Sequence, residues 1–110
     1  MIIRQITCED QPAWTNNIDQ AGQPIGHAVG GQIDIVCDGG IRRGTHVLKA
    51  LAAGATACSG GRLYLYALAA AGRPGVEKAL GNLRSEIERG MKLAGVSKIA
   101  DLDRAMLRWR

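Results

Sequence analysis

Aromatic residues and long hydrophobic runs are scarce in this sequence of 110 residues. Phenylalanine is absent, and the aromatic side chains are two tryptophans and two tyrosines. So few rings provide no platform for stacking nucleotide bases, and the net charge of +4 does not by itself predict a nucleic-acid partner. No apolar run approaches the roughly 18 residues that a transmembrane helix needs, and the N-terminus lacks a basic-then-apolar signal pattern. We therefore expect a cytoplasmic protein with no transmembrane segment and no nucleic-acid partner.

Cysteine and histidine are too few, and too widely spaced, to predict a metal site or a disulfide framework. The three cysteines, Cys8, Cys37 and Cys58, have no CxxC spacing, and the last two end apolar runs, where a small core residue is expected. His27 precedes a glycine turn, and His46 falls inside a helical pattern, directed away from the strand ends. We predict no metal ligand and no catalytic residue in this chain.

The strongest signals are two junctions at which a strand-like run stops at glycines and a helical pattern begins. Residues 33–37 form the first β-prone run, and Asp38-Gly39-Gly40-Ile41-Arg42-Arg43-Gly44 follows it. Residues 55–58 form the second run, and Ser59-Gly60-Gly61-Arg62 follows that. Glycine lets backbone N–H groups approach an anion closely, and the next helix adds its unsatisfied N–H groups and positive dipole end. An arginine adds charge-assisted hydrogen bonds, so we predict one phosphate held between the two loops by Arg42 and Arg62.

The remaining patterns complete an alternating α/β order. Residues 1–7 could form a short strand, and residues 1–27 as a whole are poorly defined. Helices are predicted over residues 45–53 and 63–71, and a longer one begins at Pro74, with an apolar stripe that runs to Ala94. Ser97 is a predicted N-cap for a last amphipathic helix that continues to Trp109. The residues from 73 onward carry nine basic and five acidic side chains, which is typical of solvated helix faces.

Residues from about 28 to 107 resemble the C-terminal part of the FMN-dependent α-hydroxy-acid dehydrogenases and oxidases, the group that contains glycolate oxidase, L-lactate dehydrogenase and mandelate dehydrogenase. The resemblance rests on residues 38–45, 47–52, 54–55, 61–62, 68–70 and 75–76, and it extends through Ser97, Ile99-Ala100 and Leu102-Asp103-Arg104. It implies that residues 28–110 are the C-terminal part of a (β/α)8 barrel, supplying strands seven and eight with their helices. A complete barrel takes roughly 250 residues, so this chain would be an incomplete one.

The resemblance also assigns the cofactor site residue by residue. Asp38, Gly39, Gly40, Ile41 and Arg42 would line the ribityl-phosphate site of FMN from the first loop, and Gly61 and Arg62 would complete it from the second. Arg43 would face solvent or a neighbouring helix. The family's His-Gly-Gly-Arg run, which carries the catalytic base and the arginine that binds the substrate carboxylate, has no counterpart here. The chain is therefore expected to bind FMN but to oxidise a small 2-hydroxy acid only with the missing upstream barrel.

Two other interpretations remain open at this level. The chain could be a non-catalytic phosphate-binding or partner-docking fragment, or a piece of another phosphate-binding barrel, such as an IMP-dehydrogenase-like or isopentenyl-diphosphate-isomerase-like enzyme. The tandem Gly-Arg and the C-terminal helices favour the FMN-dependent α-hydroxy-acid enzymes over these other barrels. Because two parallel strands leave two unpaired edges, we also expect self-association or a complementing chain.

Overall fold

The computed structural model of the chain describes residues 4–7 and 33–107. Three strands, β1 to β3, span Arg4–Thr7, Ile35–Asp38 and Ala57–Ser59, and two helices, α1 and α2, span Gly44–Ala52 and Gly61–Ala94. Two short 3-10 turns follow at Ile99–Asp101 and Arg104–Met106. The predicted boundary at residue 28, and the predictions for Cys8, His27 and Trp109, lie outside the described residues.

The strands form one parallel sheet in the order β1, β2, β3. The Cα of Thr7 is paired with that of Asp38, and the Cα of Asp38 with that of Ser59. All three strands therefore end at the same edge of the sheet. The predicted short N-terminal strand is confirmed, and it makes the sheet three-stranded where two adjacent strands were expected.

A small core lies between β2 and α1. Ile35 and Cys37 are buried while Val36 and Asp38 are half-buried, as the two-residue period of a strand requires. Cys37 packs with Ile41 and Ala50, two more buried residues. Gly54 follows the end of α1 with a φ of 107°, the left-handed conformation that the sequence predicted for a glycine there.

The long helix α2 is bent where the sequence predicted that one helix would end and another begin. Ala71 and Gly72 leave the helical conformation, and Gly72 has a φ of 58° and a ψ of −145°. Pro74 then lies in the first turn of the second part, residues 73–94, as expected. No residue of α2 is fully buried within the described part of the chain, so its apolar stripe is only partly covered. None of the described helices is long and apolar enough to cross a membrane.

The predicted C-terminal helix is wrong over the residues that the structure describes. The backbone is extended at Leu102 and Asp103, which separates the two 3-10 turns. The Asp103 carboxylate accepts a hydrogen bond from the N–H of Ala105, and so starts a new turn instead of continuing an earlier one. Spaced apolar residues predicted a helix here, but local capping by an aspartate breaks the segment into short turns.

Candidate functional site

The two predicted glycine loops lie side by side at the carboxyl edge of the sheet. They leave neighbouring strands at Asp38 and Ser59, whose Cα atoms are paired. A Cβ added to Gly60 would lie 3.8 Å from the carbonyl oxygen of Ile41, so the loops are within contact distance. Gly39 and Gly40 have φ values of 87° and 70°, which few residues other than glycine adopt. The structure therefore brings together the two segments in which the sequence placed the anion site.

Asp38 stabilises the first loop from within. Its Oδ1 atom accepts a hydrogen bond from the N–H of Gly39 at 2.9 Å. A carboxylate beside an anion site can act only as an acceptor, either for ribityl hydroxyls or for loop and arginine N–H groups. The second of these roles is observed, and it fixes the first left-handed glycine of the turn.

The arginines of the two loops differ in their surroundings. Arg42 and Arg62 are exposed, and neither forms an ion pair with any carboxylate in the described part of the chain. Arg43 instead donates from Nε to Glu86 Oε1 on α2 at 2.9 Å, which confirms that it faces a neighbouring helix. Arg42 and Arg62 are therefore the cations that remain available at the two loops.

The N-termini of the two helices are also unlike each other. The first N–H group of α1, that of Gly44, donates to Glu86 Oε2 at 2.7 Å. At the start of α2 the N-cap residue is Gly60, which makes no side-chain capping bond, and a Cβ added to Gly61 would meet no atom within 4 Å. The open helix end, with its dipole and its N–H donors, is thus that of α2.

His46 lies closer to the first loop than the sequence led us to expect. Its Nδ1 atom accepts a hydrogen bond from the N–H of Arg42 at 3.2 Å, so the prediction that His46 points away from the strand ends is wrong. The reason is that helical side chains lean toward the helix N-terminus, and His46 is the third residue of α1. The histidine therefore helps to hold the loop, and a role as a base does not follow from this contact.

An apolar cavity of about 400 Å³ lies behind the loops. Its lining includes no charged side chain and comes from the first loop, both helices and β3; among its residues are Ile41, Val47, Cys58, Leu63, Leu83 and Ile87. Burial raises the pKa of the Cys58 thiol, which keeps it protonated and unreactive. The prediction that Cys37 and Cys58 are core residues agrees with their burial, since Cys37 is buried and Cys58 half-buried.

Glu86 is a second contributor to this site, besides His46, that the sequence analysis missed. It lies 42 residues from Gly44, in a helix whose charges are typical of a solvated face. Its carboxylate holds two consecutive residues, Arg43 and Gly44, at the junction of loop and helix. No local pattern marks such a contact, because it depends on how α1 packs against α2.

The assembled group of donors is suited to binding an anion. It offers glycine N–H groups, one open helix N-terminus and two exposed guanidinium groups, which are the usual donors to a phosphate. No cluster of potential metal ligands occurs among the described residues. A phosphate monoester fits these donors better than a neutral or cationic ligand does.

Comparison with known proteins finds one matching family and several relatives. The sequence profile of a family described as FMN-dependent dehydrogenase matches residues 19–109. The chain is 54% identical over 71 residues to the L-lactate dehydrogenase (cytochrome) of Saccharomyces cerevisiae, covering 64% of this chain and 12% of that protein. It is 46% identical over 86 residues to a peroxisomal (S)-2-hydroxyacid oxidase of Arabidopsis thaliana, covering 78% and 24%.

Solved structures show the same relationship. The recombinant flavin-binding domain of baker's yeast flavocytochrome b2 superposes with a TM-score of 0.72 at 47% identity, covering 77% of this chain and 22% of that one. The structures that match are (β/α)8-barrel flavoenzymes, so the chain is an α/β piece with the fold of part of such a barrel. It spans between about an eighth and a quarter of the length of these relatives.

Proposed function

The chain belongs to the FMN-dependent dehydrogenase family, and from this premise we propose that it supplies the end of a (β/α)8 barrel that binds the phosphate of FMN. In this proposal β2 and β3 are strands seven and eight, and residues 28–110 are one barrel segment. The standard phosphate site of such barrels lies in the loops after these two strands. The observation that carries the proposal is the pairing of Asp38 with Ser59, which starts both loops at one edge.

The proposed cofactor residues contribute in three ways: through their backbone, through positive charge and as a hydrogen-bond acceptor. Gly39, Gly40 and Gly61 supply backbone that an anion can approach, and Ile41 packs beneath the first loop in the core. Arg42 and Arg62 supply the charge for a phosphate monoester of about two negative charges. Asp38 holds the turn through its bond to the Gly39 N–H, and its carboxylate would be an acceptor beside the ribityl chain.

The reaction that we propose for the complete assembly is the oxidation of a 2-hydroxy acid to a 2-oxo acid. FMN, when bound, accepts the two electrons that the hydroxy acid loses. The described residues hold the cofactor end of this arrangement and offer no base placed over the flavin ring. The substrate would therefore bind only with the missing upstream barrel.

A second candidate function, partner docking, is favoured by the exposed apolar surface of α2. Tyr64, Leu65, Tyr66, Leu68 and Leu80 are each about half exposed or more. The first four lie in the first part of α2, and in the proposed full barrel this surface would be covered. We propose that a complementing chain, or a second copy of this one, covers it.

A cytoplasmic location stays a prediction, since one of the relatives is peroxisomal.

Binding of FMN to single-residue variants tests the proposed site. Arg42→Ala and Arg62→Ala should each weaken binding at least tenfold, because a charged hydrogen bond is worth about 1.5–3 kcal/mol. Arg43→Ala is the matched control, since Arg43 already pairs with Glu86 and should matter less. Riboflavin, which has no phosphate, should bind all four proteins equally in the same flavin-fluorescence titration. Equal losses from all three arginines would instead indicate a diffuse basic surface.

A further inference from the structure

A single carboxylate from α2 joins the first loop to the helix that follows it. Glu86 accepts from the N–H of Gly44 through Oε2 at 2.7 Å and from Arg43 Nε through Oε1 at 2.9 Å. The Glu86 side chain is 28% exposed, whereas that of Arg43 is 68% exposed. The carboxylate is thus partly enclosed and uses both oxygens on consecutive residues of the loop end.

The backbones at this junction are in close contact. A Cβ added to Gly44 would lie 2.6 Å from both Glu86 Cβ and the backbone nitrogen of Ile87, so only glycine fits. One turn further along, Gly90 of α2 gives room to the Leu48 side chain of α1. The two helices therefore meet at matching positions, and the end of the first loop has little freedom to shift relative to α2.

The placement of Glu86 also determines which helix end can serve the anion. The carboxylate occupies the N-terminus of α1 and uses the favourable interaction with that helix dipole. Because the Gly44 N–H is already bound to the carboxylate, the N-terminus of α2 is the less occupied helix end for a phosphate, and its N-cap Gly60 has no side chain that could cap it. Arg43 offsets the negative charge of Glu86, which would otherwise oppose an anion bound nearby.

We propose that Glu86 is a positioning residue for the phosphate site: by holding Arg43 and Gly44 it fixes the first loop in the conformation that directs Arg42 toward an anion seated on the N-terminus of α2. This inference rests on the proposed function. It treats Glu86 as acting through the loop, because the carboxylate itself would repel a phosphate and does not touch it.

The test compares Glu86→Leu with Glu88→Leu in the full chain. Glu88 lies two residues further along the same helix and pairs with Arg84 at 2.9 Å on an exposed surface, so both variants lose one negative charge. Glu86→Leu should weaken the binding of FMN and of inorganic phosphate about tenfold, as expected for the loss of charged hydrogen bonds. Glu88→Leu should stay within about twofold of the unmodified chain. If Glu86→Leu binds as tightly as the unmodified chain or more tightly, the carboxylate only repels the anion and the proposal is wrong.

Hydrogen exchange without ligand separates this inference from the proposed function. In Glu86→Leu the amides of residues 42–44 should exchange about tenfold faster, while those of residues 76–84 in α2 stay unchanged. Unchanged exchange at residues 42–44 would overturn the positioning role whether or not FMN binds. Failure of the unmodified chain to bind FMN, with faster exchange in Glu86→Leu, would instead count against the proposed function alone.

Discussion

At the scale of single residues, Glu86 contributes to the response of the chain to acid. The hydrogen bond from the Gly44 N–H is the main cause that holds the pKa of the Glu86 carboxyl below its ordinary value, and the nearby Arg43 guanidinium acts in the same direction. A carboxyl whose pKa is lowered by folding stabilises the folded state above its unfolded pKa of about 4.3, and this contribution disappears as the pH falls through the folded pKa. The folded chain should therefore lose stability below about pH 4.3.

Replacement of Glu86 by glutamine should reduce this acid sensitivity. Denaturant unfolding of Glu86→Gln between pH 7 and pH 3 should show a shallower decline in stability than the unmodified chain, since the side chain no longer titrates. Glu88→Gln is the control, because Glu88 is paired only with Arg84 at an exposed position. Equal pH slopes for Glu86→Gln and the unmodified chain would contradict the assignment.

At the scale of elements, the bend in α2 depends on one glycine. Gly72 has a φ of 58° and a ψ of −145°, a conformation that is essentially confined to glycine. Gly72→Ala should lower the free energy of unfolding by about 1–3 kcal/mol. Gly81→Ala should raise it by about 0.5–1 kcal/mol, because Gly81 is helical and an added Cβ meets no atom within 4 Å.

Thermal unfolding of these two glycine variants checks the bend. The melting temperature of Gly72→Ala should fall below that of the unmodified chain, and that of Gly81→Ala should rise above it. If Gly72→Ala had the same raised melting temperature as Gly81→Ala, α2 would be a continuous helix in solution.

The elements that the sequence predicted correctly are those marked by local signals. Glycines after β2 and β3 ended the strands as expected, and Gly54 and Pro74 marked helix boundaries. These signals are local: glycine adopts backbone conformations that other residues avoid, and proline has no N–H to donate to the preceding turn. The placement of the two loops at one edge then followed from parallel pairing.

The elements that the sequence did not predict depend on contacts between distant residues or on competing local bonds. The ion pair of Glu86 with Arg43 spans 43 residues and needs the packing of α1 on α2 to exist. The segment after Ser97 has helical spacing, yet the Asp103 carboxylate competes with the helix by capping its own turn. The spacing of apolar residues does not show whether the Asp103 bond or a continuous helix is more stable.

At the scale of the whole molecule, we propose that the chain carries the FMN-phosphate end of a larger barrel. In the described sheet β1 and β3 each have one neighbouring strand, and α2 exposes several large apolar residues. The chain also spans only 12% to 24% of the relatives reported above. Both observations favour a place for this segment within a larger barrel.

The purified chain with FMN should not oxidise 2-hydroxy acids. Proton abstraction needs a base within about 3 Å of the reacting carbon, together with a cation for the substrate carboxylate. His46 accepts a bond from the Arg42 N–H, and this contact holds the first loop. We expect no anaerobic bleaching of the flavin absorbance by lactate, glycolate or mandelate, and bleaching once the upstream part of such a barrel is added. Bleaching by the chain alone, lost in His46→Ala, would show that it carries its own base.

The central claim is that the loops after β2 and β3 hold one phosphate between them, and hydrogen exchange in the presence of FMN tests it most directly. Binding should slow exchange at residues 39–45 and 60–64 together, because one anion would receive donors from both. Arg42→Ala should remove the protection at both loops, and so should Arg62→Ala. Protection of a single loop, or its loss at only one loop in each variant, would contradict a shared phosphate site.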